Sequence, residues 1–159
     1  MILVTLGTQD KKFTRLLDAI QKAVEEGAIQ ERVVVQAGYT PYQSSRMEIF
    51  DYLEQDEFRR LLQEADLVIT HGGVGTIMTA LKSRKKILAA ARLAQYKEHL
   101  NDHQTQLLET FEKQGYLIYM RDLSDIRPYL EQAKTFQPRE YASNTSHMIS
   151  LIEDWIDTH

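Results

Sequence analysis

Apolar positions along this chain follow two alternating rhythms. Short continuous runs, Ile2 to Leu6, Val33 to Ala37, Leu67 to Thr70, Ile87 to Ala91 and Leu117 to Tyr119, are bounded by glycine or polar residues. Most are rich in β-branched side chains, the pattern of strands buried on both faces. A weaker extended stretch covers Met47 to Tyr52. Between these runs, Phe13, Leu16, Leu17, Ile20 and Val24 recur at helical spacing, as do Phe58, Leu61, Leu62 and Ala65, and then Leu107, Leu108 and Phe111. A further helix is predicted from Thr76 to about Ser83. Two helical stretches close the chain, the last at about residues 144 to 157 with Met148, Ile149, Leu151, Ile152, Trp155 and Ile156 on its stripe. Strand and helix in alternation predict an α/β fold, a single Rossmann-like doubly wound parallel sheet spanning residues 1–159, with right-handed crossovers.

Composition narrows the functional classes. The chain has 159 residues, 43% hydrophobic and 26% charged, enough to bury a core. A formal net charge of -4 and a pI near 5.7 argue against a nucleic-acid partner. With no cysteine, disulfides, thiolate metal sites and a cysteine nucleophile are excluded. No run approaches the roughly 18 apolar residues of a membrane span, and the first residues are too short and uncharged for a signal peptide. The expectation is a soluble, cytoplasmic domain.

In doubly wound sheets ligands bind beyond the carboxyl ends of the strands. Three loops there carry unusual chemistry. The first is Gly7-Thr8-Gln9. The second, His71-Gly72-Gly73-Val74-Gly75-Thr76, has three glycines in four positions before a helix start. Such a loop presents backbone N–H groups to an anion such as a phosphate; the same glycines also serve a tight strand-to-helix turn. Neither the dinucleotide fingerprint nor the Walker loop is present. The third loop, Arg92 to Gln104, holds Arg92, Tyr96, Lys97, Glu98, His99, Asn101, Asp102, His103 and Gln104, a density suited either to reading sugar hydroxyls or to a solvated surface. His99 and His103 stand four apart, but no third ligand is evident, and no metal is expected. Arg84-Lys85-Lys86 reads as a solvated helix end.

The run from Met1 to Thr8, the block from Ala65 to Thr76, and Glu98-His99-Leu100-Asn101-Asp102-His103-Gln104 occur together in this order. That ordered set resembles the small subunits of two-chain glycosyltransferases, both the eukaryotic dolichol-linked N-acetylglucosaminyltransferase type and bacterial capsule or exopolysaccharide counterparts. These are similar to the C-terminal, donor-binding half of GT-B enzymes. The resemblance spans about residues 1 to 120. It implies that Gly7, Thr8 and the loop His71, Gly72, Gly73, Val74, Gly75, Thr76 hold the diphosphate of a UDP-sugar donor. The segment around Phe50, Asp51 and Tyr52 would face uracil, and Asp102 and Gln104 the transferred sugar. Arg92 would belong to the donor site, and Glu98, His99 and Asn101 would shape that loop.

The resemblance further implies no cofactor beyond the UDP-sugar substrate. It also implies a membrane-anchored glycosyltransferase partner that supplies the acceptor-binding domain, and usually the general base, and presents a lipid-linked saccharide acceptor. The chain would be recruited to the inner face of the membrane by that partner. Thr79 departs from the family, where a ribose-binding Glu is common; Arg84 and Lys86 replace a frequent Gly and Pro. These departures fit the bacterial branch. They also leave open a non-catalytic enhancer that stabilises a partner enzyme, beside a third possibility, a stand-alone nucleotide-binding regulator.

Overall fold

A computed structural model describes residues 1–7, 11–99 and 102–140. Six strands, β1 (Ile2–Thr5), β2 (Val33–Gln36), β3 (Glu48–Phe50), β4 (Leu67–His71), β5 (Lys86–Ala90) and β6 (Ile118–Tyr119), form one sheet in the order β3-β2-β1-β4-β5-β6. Every pair is parallel. The order reverses between β1 and β4, which opens a crevice at their carboxyl ends. The doubly wound parallel sheet is therefore as expected.

Strand side chains alternate between the two faces. Val4, Val35, Ile69 and Leu88 pack with Leu16, Leu17 and Ile20 of α1 (Thr14–Glu25) and with Ala133 of α5 (Arg127–Thr135). Leu3, Val34, Val68, Ile87 and Ala89 pack on the other side. There they meet Leu61 and Leu62 of α2 (Gln55–Glu64), Ile77 and Leu81 of α3 (Val74–Lys82), and Leu107, Leu108 and Phe111 of α4 (His103–Lys113). Both layers are continuous, which accounts for the unbroken apolar runs.

Local differences have physical causes. Phe13 lies just ahead of α1 rather than within it. Its N–H donates to the Thr40 hydroxyl at 2.9 Å, which fixes a non-helical residue at the helix start. The Arg92-to-Asn101 loop contains a 3-10 turn at Ala94–Tyr96, closed by Lys97 in the left-handed region at φ 58°. The basic run 84–86 is not merely solvated. Lys85 Nζ donates to the carbonyls of Gln63 and Ala65 at the end of α2, and Lys86 Nζ to Ala133 and Lys134 at the end of α5. Each cation thus satisfies carbonyls that a helix leaves open. Arg84 pairs with Glu140 at 3.0 Å. The helix expected at 144 to 157 lies outside the described residues, as do Thr8 and Asn101.

Candidate functional site

Three apolar strands end in polar residues at the same level: Thr5 on β1, Gln36 on β2 and Thr70 on β4 are register partners. The Thr70 hydroxyl donates to the Thr5 carbonyl at 3.0 Å, and Gln36 Nε2 lies 3.4 Å from the Thr5 hydroxyl. Of this row, Thr5 and Gln36 line a cleft of about 440 Å³ at the switch point between β1 and β4. Gly7, His71, Gly73, Gly75 and Thr76 line it, as do Leu53, Gln55 and Phe58.

The start of α3 faces this cleft, its first N–H groups without a partner among the described residues. Gly73 is the N-cap and supplies no side chain, and the first turn holds no acidic residue. The first intrahelical bond runs from Ile77 N–H to the Gly73 carbonyl, so the N–H groups of Val74, Gly75 and Thr76 have no partner within the helix. Together with the helix dipole they make a positive field suited to an anion. The Val74 side chain turns away and packs on the core.

His71 ends β4 and sits almost wholly buried against the glycines. A Cβ on Gly7 or on Gly73 would collide with its imidazole, and Gly7 also holds φ +76°. Burial first, then the neighbouring Arg92 and His99, push the imidazole pKa down from 6.5 to about 3, so the ring is neutral at ordinary pH. Gly75, by contrast, has nothing within 4 Å of a Cβ position. Its lack of a side chain leaves open space in the cleft.

The third loop stands behind the cleft rather than in it. Gln104 is buried (3% exposed) and its carbonyl accepts from the N–H of Gly72 at 3.2 Å and of Arg92 at 2.9 Å. The Gln104 oxygen is thus taken up by backbone, which leaves only its amide nitrogen for any other partner. Arg92 is likewise not a surface ligand group. Its Nη1 donates to the carbonyls of Lys11 (2.8 Å) and Glu98 (3.2 Å), its Nη2 to that of Leu6 (2.7 Å), and the guanidinium lies 5.1 Å from the Phe13 ring centre. Burial lowers its pKa to about 10. Arg92 therefore clamps the backbone either side of the first loop. Glu98 does shape its loop: buried, it accepts from Arg15 Nε at 3.1 Å, Arg15 Nη2 at 3.0 Å and the Leu93 N–H at 3.0 Å. Asp102 is exposed and ties α4's start to the 3-10 turn through the Ala94 N–H at 2.8 Å. His99 is half-buried.

Phe50 and Tyr52 are about half exposed, and Tyr52 stacks edge-on with Tyr39. Neither lines the cleft. Leu53 and Phe58 instead supply the apolar lining, and Gln36 Oε1 accepts from the Leu53 N–H at 2.9 Å. Leu53, Phe58, Thr5 and Gln36 were missed from sequence. For Thr5 and Gln36 a signal existed, a polar residue closing each apolar strand; for Leu53 and Phe58 none did, because both read as ordinary core. Thr79, in place of a ribose-binding carboxylate, donates its hydroxyl to the Gly75 carbonyl of its own helix at 2.9 Å. Among the described residues, no three His, Cys, Asp or Glu side chains gather as a metal cluster, and no helix is long and apolar enough to cross a membrane.

Comparison with known proteins agrees with this geometry. The mouse UDP-N-acetylglucosamine transferase subunit ALG13 is 28% identical over 125 residues, covering 73% of this chain and 10% of that protein. The human counterpart is 27% identical over 129 residues, covering 74% and 11%. The chain thus spans about a tenth of the length of these relatives. Among solved structures, an ALG13 solution structure superposes with a TM-score of 0.57 at 15% identity, covering 88% of each chain. MurG of Acinetobacter baumannii gives 0.57 at 16%, covering 84% of this chain and 40% of that one. These two show the fold. The family model described as glycosyltransferase family 28 C-terminal domain matches residues 1–156, and the chain belongs to that family.

Proposed function

We propose that this chain is the donor-binding subunit of a heteromeric inverting glycosyltransferase. It holds a UDP-sugar while a membrane-anchored partner presents a lipid-linked acceptor, and a hexose is transferred in capsule or exopolysaccharide biosynthesis. The observation that carries the donor reading is the uncapped, acid-free start of α3 opening onto the β1/β4 cleft that Gly7 also lines. Free N–H groups and the helix dipole there match a diphosphate, both in the bound donor and in the UDP that leaves, where the negative charge grows. The mouse and human relatives being transferase subunits supports the two-component reading. So does the chemistry of the cleft. Among the described residues lining it, His71 is the one titratable side chain, and an imidazole held neutral with a pKa near 3 is too weak a base to activate a hydroxyl. The base then comes from the partner, and the acceptor oxygen attacks the anomeric carbon from the face opposite the diphosphate.

One observation favours a second reading, a non-catalytic enhancer of a partner enzyme: Thr79 turns its hydroxyl to its own helix and offers the ribose nothing. Calorimetric titration of the chain with UDP, UDP-hexoses and ADP separates the two. Binding of UDP and UDP-hexoses in preference to ADP supports the donor subunit, and absence of all three supports the enhancer.

A further inference from the structure

We propose that Gln104 is a positioning residue that fixes the His71 imidazole as the tautomer protonated on Nε2, making it a standing hydrogen-bond donor to the cleft between Gly7 and Gly73. The ligand side of this inference rests on the diphosphate reading above; the tautomer itself does not.

The orientation of the Gln104 amide is over-determined. Its oxygen meets two backbone N–H groups, from Gly72 at the end of β4 and from Arg92 after β5. Rotating the amide by half a turn would set its NH2 against both donors, so the nitrogen must occupy the other side. There Nε2 lies 3.4 Å from His71 Nδ1. An amide nitrogen only donates, and a neutral imidazole has one donor and one acceptor nitrogen. Nδ1 must therefore accept, and the ring proton sits on Nε2. The contact is long for a hydrogen bond. Even so, the other tautomer would set N–H against N–H at that distance, so the preference survives a weak bond.

The Nε2 edge is the one seated against the glycines that line the cleft. A Cβ on Gly7 or Gly73 would occupy the space beside Nε2 and Cε1, and both glycines line the cleft. Gly72 belongs to the same device: a Cβ there would lie 2.8 Å from Gln104 Cβ. Three of the four site glycines are thus required by the His71–Gln104 pair, and Gly75 alone is dictated by nothing within the fold. The charged and titratable groups that bear on the ring, Arg92 and His99, disfavour an imidazolium, as does burial. The ring therefore stays neutral and keeps a single proton, whose position Gln104 decides. With Nε2–H toward an anion the ring attracts; with the lone pair there it repels.

The test is long-range proton–nitrogen NMR correlation of His71 in the full chain labelled with 15N-histidine, without ligand, for wild type and for Gln104→Glu and Gln104→Leu. The wild-type ring should show the pattern of the Nε2–H tautomer. Gln104→Glu keeps an oxygen for Gly72 and Arg92 but turns a second oxygen to Nδ1. It should move the proton to Nδ1 or charge the ring, while Gln104→Leu, with no donor and no charge, should give a tautomer mixture. UDP affinity should fall roughly three- to tenfold in Gln104→Leu, the weight of one neutral hydrogen bond. A wild-type ring protonated on Nδ1 overturns the proposal, even if neither variant folds; so does a tautomer unchanged in Gln104→Glu. If wild type carries the Nε2 proton but binds no UDP, the donor reading fails while the role of Gln104 stands.

Discussion

Gly75 offers a substitution whose effects on stability and on binding have opposite signs. It is exposed, lies in the first turn of α3 and has open space where a Cβ would go. Replacing it by Asp removes the helix penalty of glycine, a gain of a few tenths of a kcal/mol, and sets a carboxylate at the positive helix end, worth about 0.3–1 kcal/mol. Gly75→Asp should therefore leave the free protein as stable as wild type or up to about 1 kcal/mol more so. At roughly 5 Å from a bound phosphate, in a medium between water and a protein surface, the same carboxylate repels each phosphate charge by about 1–3 kcal/mol. UDP affinity should fall by at least about tenfold. Gly75→Asn, equal in size and uncharged, isolates the electrostatic part, and the Asp–Asn gap should shrink as salt is raised. The assays are chemical denaturation and calorimetric titration with UDP. Equal UDP affinity of the Asp and Asn variants refutes a diphosphate at α3. A loss of stability greater than about 1 kcal/mol refutes the open, solvent-facing geometry of Gly75.

Gly7→Ala should behave in the opposite way, because its φ of +76° and the collision with His71 act on the folded state; a loss of about 1–3 kcal/mol in denaturant melts is expected. Arg15→Ala leaves the buried Glu98 carboxylate without its two guanidinium bonds and should cost about 1.5–3 kcal/mol by the same measurement. His71 titrates near 6.5 when unfolded but near 3 when folded, so acid protonates the unfolded chain first. Stability present in full above about pH 6.5 is then lost as pH falls toward 3, by up to about 1.4 kcal/mol per pH unit. His71→Gln should flatten the stability–pH profile between pH 6.5 and 5, above the range where carboxylates titrate, and an unchanged slope would remove the buried neutral imidazole.

The alternation of apolar runs and helical stripes was enough to read a doubly wound parallel sheet. A strand covered on both faces cannot afford a polar residue at any interior position, so Ile2 to Val4, Val33 to Val35 and Val68 to Ile69 announce themselves. The glycine loop from His71 to Thr76 was legible for a related reason, since few other contexts need three glycines around a helix start. The ordered blocks likewise pointed to the family that the comparison shows. The inner loop was not legible. Composition places Arg92, Glu98 and Gln104 in a polar stretch that a solvated surface or a sugar site would explain equally. Only the fold turns all three inward, setting Arg92 against the Leu6 and Lys11 carbonyls, Glu98 against Arg15 of α1, and Gln104 against Gly72 and Arg92.

Sequence by itself thus determined the strands and helices among the described residues and the glycine loop that lines the switch-point cleft, because those follow from which residues tolerate burial and which backbone shapes need glycine. Tertiary structure decided what the polar side chains do there. Gly72, Arg92 and Gln104 come together from three segments to hold His71, and Leu53 and Phe58 turn toward the cleft. A side chain's hydrogen-bond partners are set by what the sheet brings within 3–3.5 Å, and residues 32 and 33 positions apart carry no mark of that meeting in their own composition.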